Sequence, residues 1–105
     1  MLEKLENLID KFPEKPDDIA KFLAAEGIKG ERGAAFNCPL AKYFKKEFPG
    51  YEVEIGLESN LSDYFLTIKE SGKAPIVGQV LPKKLNEFTS KFDGESYPNL
   101  EVRNA

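Results

Sequence analysis

Leu2, Leu5, Leu8, Ile9 and Phe12 recur at three- and four-residue spacing, with Glu3, Lys4, Glu6, Asn7 and Asp10 between them. That period predicts an amphipathic helix over residues 2–12. Pro13 ends it, because a proline ring cannot continue the backbone ladder. After the stiff connector Pro13-Glu14-Lys15-Pro16, a second helix is predicted over 17–26. Asp17 and Asp18 suit the positive end of its dipole, and Ile19, Phe22 and Leu23 form its apolar stripe. Gly27 fits the position just past its end, where a left-handed backbone is common. Residues 28–37, Ile-Lys-Gly-Glu-Arg-Gly-Ala-Ala-Phe-Asn, follow neither period and form the longest irregular stretch. Asn37 and Cys38 both suit the N-cap of a third helix over 39–48, with Pro39 in its first turn. Leu40, Phe44 and Phe48 lie four apart on it, Tyr43 beside them, and Pro49-Gly50 closes it.

The period then changes to two. Tyr51, Val53, Ile55 and Leu57 alternate with Glu52, Glu54, Gly56 and Glu58, which predicts a half-buried strand with an acidic outer face. Tyr64, Leu66 and Ile68 alternate with Phe65, Thr67 and Lys69 in a second strand, and Glu58-Ser59-Asn60-Leu61 is short enough for a hairpin connection. Ser71-Gly72-Lys73 reads as a turn, and Pro75-Ile76-Val77-Gly78-Gln79-Val80 as a third strand with its proline at the start. Pro82 suits the first turn of a last helix carrying Leu85, Phe88 and Phe92, stopped by Gly94. Tyr97 and Leu100 are expected to dock the tail on the core. Strands grouped rather than interleaved with helices predict an α+β fold. It has three N-terminal helices, a small three-stranded antiparallel meander and one C-terminal helix. The helices cover one sheet face, and the face bearing Glu52, Glu54 and Lys69 meets water. The predicted core is Leu5, Ile9, Phe22, Leu23, Leu40, Phe44, Val53, Ile55, Leu66, Ile68, Leu85 and Phe88.

Composition narrows the chemistry. A chain of 105 residues forms a single small domain, 1–105. Histidine is absent, which closes the histidine-based nucleophile–base arrangements and every histidine-containing metal site within one chain. One cysteine allows neither an internal disulfide nor a thiolate zinc cluster, so no cofactor and no metal is expected. The start Met1-Leu2-Glu3-Lys4-Leu5-Glu6 lacks the charge and apolar run of a secretory signal. No run approaches the ~20 apolar residues of a membrane span. With a lone thiol, these features predict a cytoplasmic protein that does not engage membranes.

The net charge is −3, but it is unevenly placed. Residues 29–46 hold five basic groups, Lys29, Arg32, Lys42, Lys45 and Lys46, against Glu31 alone. Lys42, Lys45 and Lys46 share a helix face at i, i+3 and i+4. Gly30 and Gly33 allow unusual backbone angles, and Arg32 offers a planar fork, so loop 28–37 with the start of the third helix is a candidate anion site, its competing role being a tight connector whose Arg32 is solvated or paired with an acidic side chain. Two helices flanking this segment superficially suggest a helix-turn-helix, though the connector exceeds the usual 3–4 residues. Cys38 at a helix start is a candidate reactive thiol, its competing role being a small buried residue. Glu52 and Glu54 on an outer strand face favour solubility over acid–base chemistry, and with Glu58 they form the rival binding face, one that would suit a basic partner. Asp63-Tyr64 has no evident partner arrangement.

Gly30-Glu31-Arg32, Cys38-Pro39-Leu40-Ala41-Lys42-Tyr43, Leu81-Pro82 and Phe92-Asp93-Gly94-Glu95-Ser96-Tyr97-Pro98-Asn99-Leu100 together resemble a pattern in small uncharacterised bacterial proteins. It reads Cys-Pro-x-Ala-x-Tyr in mid-chain with a Phe-Asp…Tyr-Pro-x-Leu tail. The resemblance implies an architecture and no activity. The expected function is a non-enzymatic protein-binding or regulatory accessory module, engaging an acidic protein surface through loop 28–37 and helix 39–48. A nucleic-acid-binding regulator using segment 29–46 is the first alternative. A thiol-dependent enzyme or redox protein centred on Cys38 is the second.

Overall fold

The helical and strand periods both find their partners in the computed structural model, which describes residues 2–57 and 63–102. Helices α1 (Leu2–Lys11), α2 (Pro16–Ala25) and α3 (Pro39–Glu47) come first. Strands β1 (Glu52–Leu57), β2 (Tyr64–Lys69) and β3 (Pro75–Val80) follow, then α4 (Lys83–Asp93) and a 3-10 turn, Pro98–Leu100. The strands form one antiparallel sheet in the order β1-β2-β3. This is the α+β arrangement the periods predict. The hairpin connection expected at 58–61 lies outside the described residues.

Register aligns the alternating side chains. Val53 pairs with Ile68 and Ile55 with Leu66, so the apolar set of β1 and β2 shares one face. Val77 of β3, opposite Ile68, continues it. α3 packs against β1, and α2 packs against α4. Eleven of the twelve predicted core residues are buried; Phe22 is half-buried and packs against the rings of Phe12 and Tyr43. Phe12 joins α1 to α3, its ring 5.0 Å from Tyr43 and 6.2 Å from Phe44. Such edge-on contacts place the positive rim of one ring on the negative face of the next.

The tail docks as its apolar residues require. The Tyr97 ring stacks on Phe88 at 5.4 Å, Leu100 is fully buried, and the Tyr97 hydroxyl donates to Asp17 Oδ1 at 2.7 Å. The outer sheet face carries Glu52, Glu54 and Lys69 as expected. It also has an apolar side: Ile76 and Val80 on β3 are 50% and 43% exposed, and Phe65 lies half-buried between β1 and β3. Leu57, expected among the inward residues, is exposed at the end of β1. The last helix begins one residue later than predicted, with Pro82 as its N-cap. No helix among the described residues is long and apolar enough to cross a membrane.

Candidate functional site

Loop 28–37 begins where Gly27, at φ +73°, turns the chain out of α2. The loop has no helical or strand ladder of its own, so its backbone groups must find partners elsewhere. Three elements supply them. The tail is first: Gly30 N–H donates to Leu100 C=O at 2.8 Å, and Val102 N–H donates to Gly30 C=O at 2.9 Å, a parallel bridge to Glu101. β1 is second, with Ile55 N–H donating to Ala35 C=O at 2.8 Å. α4 is third, since Gly33 N–H donates to Asp93 Oδ1 at 3.1 Å. Within the loop, Glu31 N–H reaches Asn37 C=O, and Asn37 and Cys38 N–H both reach Ala34 C=O. Gly30 is required for closeness: a Cβ there would stand 2.5 Å from Asn37 O and Pro39 N, both backbone atoms. The loop is irregular yet held on three sides.

The basic residues divide. Arg32 Nε donates to Glu101 Oε1 at 2.6 Å, and its NH1 lies 2.9 Å from Glu95 Oε1. The guanidinium fork expected to capture an anion is therefore shared with two carboxylates of the chain itself, which would compete with any incoming anion. Pairing with an acidic side chain is the competing expectation for Arg32, but no local rule names Glu95 and Glu101, which lie more than sixty residues away. Lys46 lies 3.5 Å from Glu26 at the end of α2. Lys45, half-buried, donates to Phe36 C=O at 3.0 Å. Lys42 is half-buried and Lys29 is exposed. Arg32 and Lys46 are thus engaged in internal ion pairs, whereas Lys29, Lys42 and Lys45 have no ion pair among the described residues.

Phe36 belongs to no helical or strand period, and the fold alone reveals its setting. The residue is 47% exposed within the clamped loop, with the Lys45 ammonium on its carbonyl. A signal was present: an aromatic in a stretch without any period has no core face to join.

Cys38 caps α3, its sulfur accepting from Ala41 N–H at 3.4 Å. It is 4% exposed, and burial pushes the thiol up to about 11, against the smaller opposing effect of the Ala41 hydrogen bond. At neutral pH the group is a thiol, and it is shielded from solvent. Of the two N-cap candidates, Cys38 fills the role and Asn37 does not.

Beside the loop is a cleft of about 320 Å³ bordered by Gly33, Ala35, Glu54, Gly56, Tyr64 and Asp93. The Tyr64 hydroxyl donates to Asp93 Oδ2 at 2.7 Å, while the Tyr64 N–H donates to Asn86 Oδ1 at 2.7 Å. Asn86 Nδ2 in turn donates to Asp63 at 3.2 Å. The Asp63-Tyr64 pair, without partners in the sequence reading, belongs to a network with α4. Burial, and then the hydrogen bond to Asp93, raises the Tyr64 pKa above its ordinary value, so the phenol stays protonated and donating. Among the described residues, no group of three or more acidic or thiol side chains is arranged to hold a metal ion. Glu52 stands 3.9 Å from Lys69 on the outer sheet face, and Glu54 is exposed. No family model, no curated protein and no solved structure matches the chain.

Proposed function

We propose that the protein is a cytoplasmic, non-enzymatic binding module that docks an acidic protein surface on loop 28–37 and the adjoining face of α3. The observation that supports this best is Phe36. A half-exposed aromatic on a loop pinned by three elements presents apolar area at little ordering cost, as the dominant residues of protein interfaces do. Lys45 supplies positive charge against the Phe36 carbonyl, and Lys29 and Lys42 add charge in the same stretch of chain, which steers an acidic partner and sets association rate more than final affinity. Buried Cys38 contributes packing and a helix cap in this reading.

A photoreactive phenylalanine analogue at position 36, expressed in the native cell, tests it. The expected product is a protein adduct that K45E reduces several-fold while the far-ultraviolet spectrum is unchanged. A nuclease-sensitive adduct would select the nucleic-acid alternative. Adducts obtained from position 54 but never from position 36 would move the site to the acidic sheet face.

A further inference from the structure

We infer that two copies of this chain associate through β3, in an antiparallel, two-fold pairing centred on Gln79. The sheet has two edges. On β1, the Ile55 N–H is satisfied by Ala35 C=O, so loop 28–37 closes part of that edge. β3 is the last strand in the order, and no backbone partner lies beyond it among the described residues. Leu81 N–H donates to Tyr64 C=O, which fixes the phase of the ladder. By that alternation Gln79 and Val77 face β2, and the N–H and C=O groups of Gly78 and Val80 point outward. The register shifts between Ile68 and Lys69, which leaves Ile76 as the extra residue of a bulge. The regular free edge is therefore 77–80.

Sheet edges are blunted by charge, by proline, by a bulge or by shortness, and on β3 Pro75 and the bulge protect only the first two residues, leaving 77–80 to charge alone. Here residues 74–82, Ala-Pro-Ile-Val-Gly-Gln-Val-Leu-Pro, carry none, although 31% of the chain is charged. Lys73 and Lys83, on either side, have their own carboxylates in Glu70 and Glu87 at 2.7 and 4.0 Å. A neutral strand meets its own copy without like-charge cost, whereas nothing in it would select a charged foreign strand.

Shape argues for the same occupant. Val80 stands out from the sheet, 43% exposed. Gly78 has no side chain, and the Phe65 ring lies beside it, where a Cβ would be 3.5 Å from Cε1. Pairing about Gln79 places Val80 of each copy opposite Gly78 of the other, so a methyl pair enters the space the glycine leaves and meets the phenyl ring. The contact is isologous. It uses the free edge of both copies, so it closes as a dimer rather than growing into a fibre. A four-residue edge is below the standard interface size, and the dimer should be weak, with Kd between about 1 µM and 1 mM.

The test is sedimentation velocity with amide exchange by NMR, over a dilution series of the full chain from about 1 mM to about 10 µM. The expected result is a monomer–dimer equilibrium in which exchange at Gly78 and Val80 slows at high concentration while exchange at Ile76 does not. V80K, a change at an exposed position, should shift the dimer Kd at least tenfold upward. I76K, outside the paired register, should leave it within about threefold. A monomer at every concentration would overturn the inference. So would a dimer without protection at Gly78 and Val80, or one that V80K does not weaken.

Discussion

A thiol at a helix start admits two opposite readings, and burial decides between them at Cys38. The dipole and the Ala41 amide favour a thiolate, but desolvation outweighs them. The sign of the pH effect follows. The folded-state pKa, about 11, lies above the ordinary value near 9, so above pH 9 the unfolded chain releases a proton that the folded chain retains. Stability is fully present below pH 9 and falls as pH rises through 11, by about 2–3 kcal/mol from this residue. C38A should therefore flatten the loss of stability between pH 9 and 11 in urea titrations. An unchanged alkaline limb would mean that the thiol is not shielded when folded. Tyr64 and Tyr97, both raised by burial and by hydrogen bonds to carboxylates, add loss in the same direction at still higher pH. Arg32 is the complementary case. From sequence it is a cationic fork with no named partner, whereas in the fold it faces Glu95 and Glu101, so R32E would gather three carboxylates and lower the melting temperature.

The helices and strands were legible because each carries an unbroken period and a terminator with a mechanism. Phe44 and Phe48 follow Leu40 at steps of four, and Val53 and Ile55 alternate with glutamates, so the phase of each element and its buried face were readable. Loop 28–37 was legible only as a gap between periods. Its shape depends on Asp93, Leu100 and Val102, and no local rule links residue 30 to residue 100. The exposed Ile76 and Val80 were hidden for another reason, since a short strand with a bulge does not announce which face it turns to water. The loop makes a sharp contrast between two glycines. G30A should cost about 3 kcal/mol or displace the loop, because the new methyl would collide with backbone atoms. G33A meets open space and should cost only about 1 kcal/mol, the strain of a non-glycine residue at φ +68°. Denaturant midpoints of the two variants compare them directly, and equal losses would contradict the clamped geometry.

The uneven charge of the chain acquires a different meaning once it is folded. Two of the five basic groups in 29–46 neutralise distant acids, so the remaining field around Phe36 is modest. Binding of an acidic partner should accordingly weaken by about three- to tenfold between 50 and 500 mM salt, as screening shortens the reach of Lys29, Lys42 and Lys45. Surface plasmon resonance should locate most of that change in the association rate. A decrease of many orders of magnitude would instead fit polyanion binding with counterion release. The proposed docking loop borders β1, and the free strand edge is β3, so the sheet separates the two surfaces. V80K should leave photo-crosslinking from position 36 unaltered.

The clamp on Gly30 also fixes an order of events during synthesis. The chain emerges from the ribosome N-terminal end first, and the partners of Gly30, at Leu100 and Val102, follow about 70 residues later. At roughly 5–20 residues per second, loop 28–37 would wait about 4–14 s before the tail could hold it. Helices α1, α2 and α3 could begin to associate in that interval through Phe12, Phe22 and Tyr43, which are close in sequence. The surface around Phe36 would therefore be the last part of the molecule to mature. A partner that recognises its clamped form would bind finished chains and pass over nascent ones.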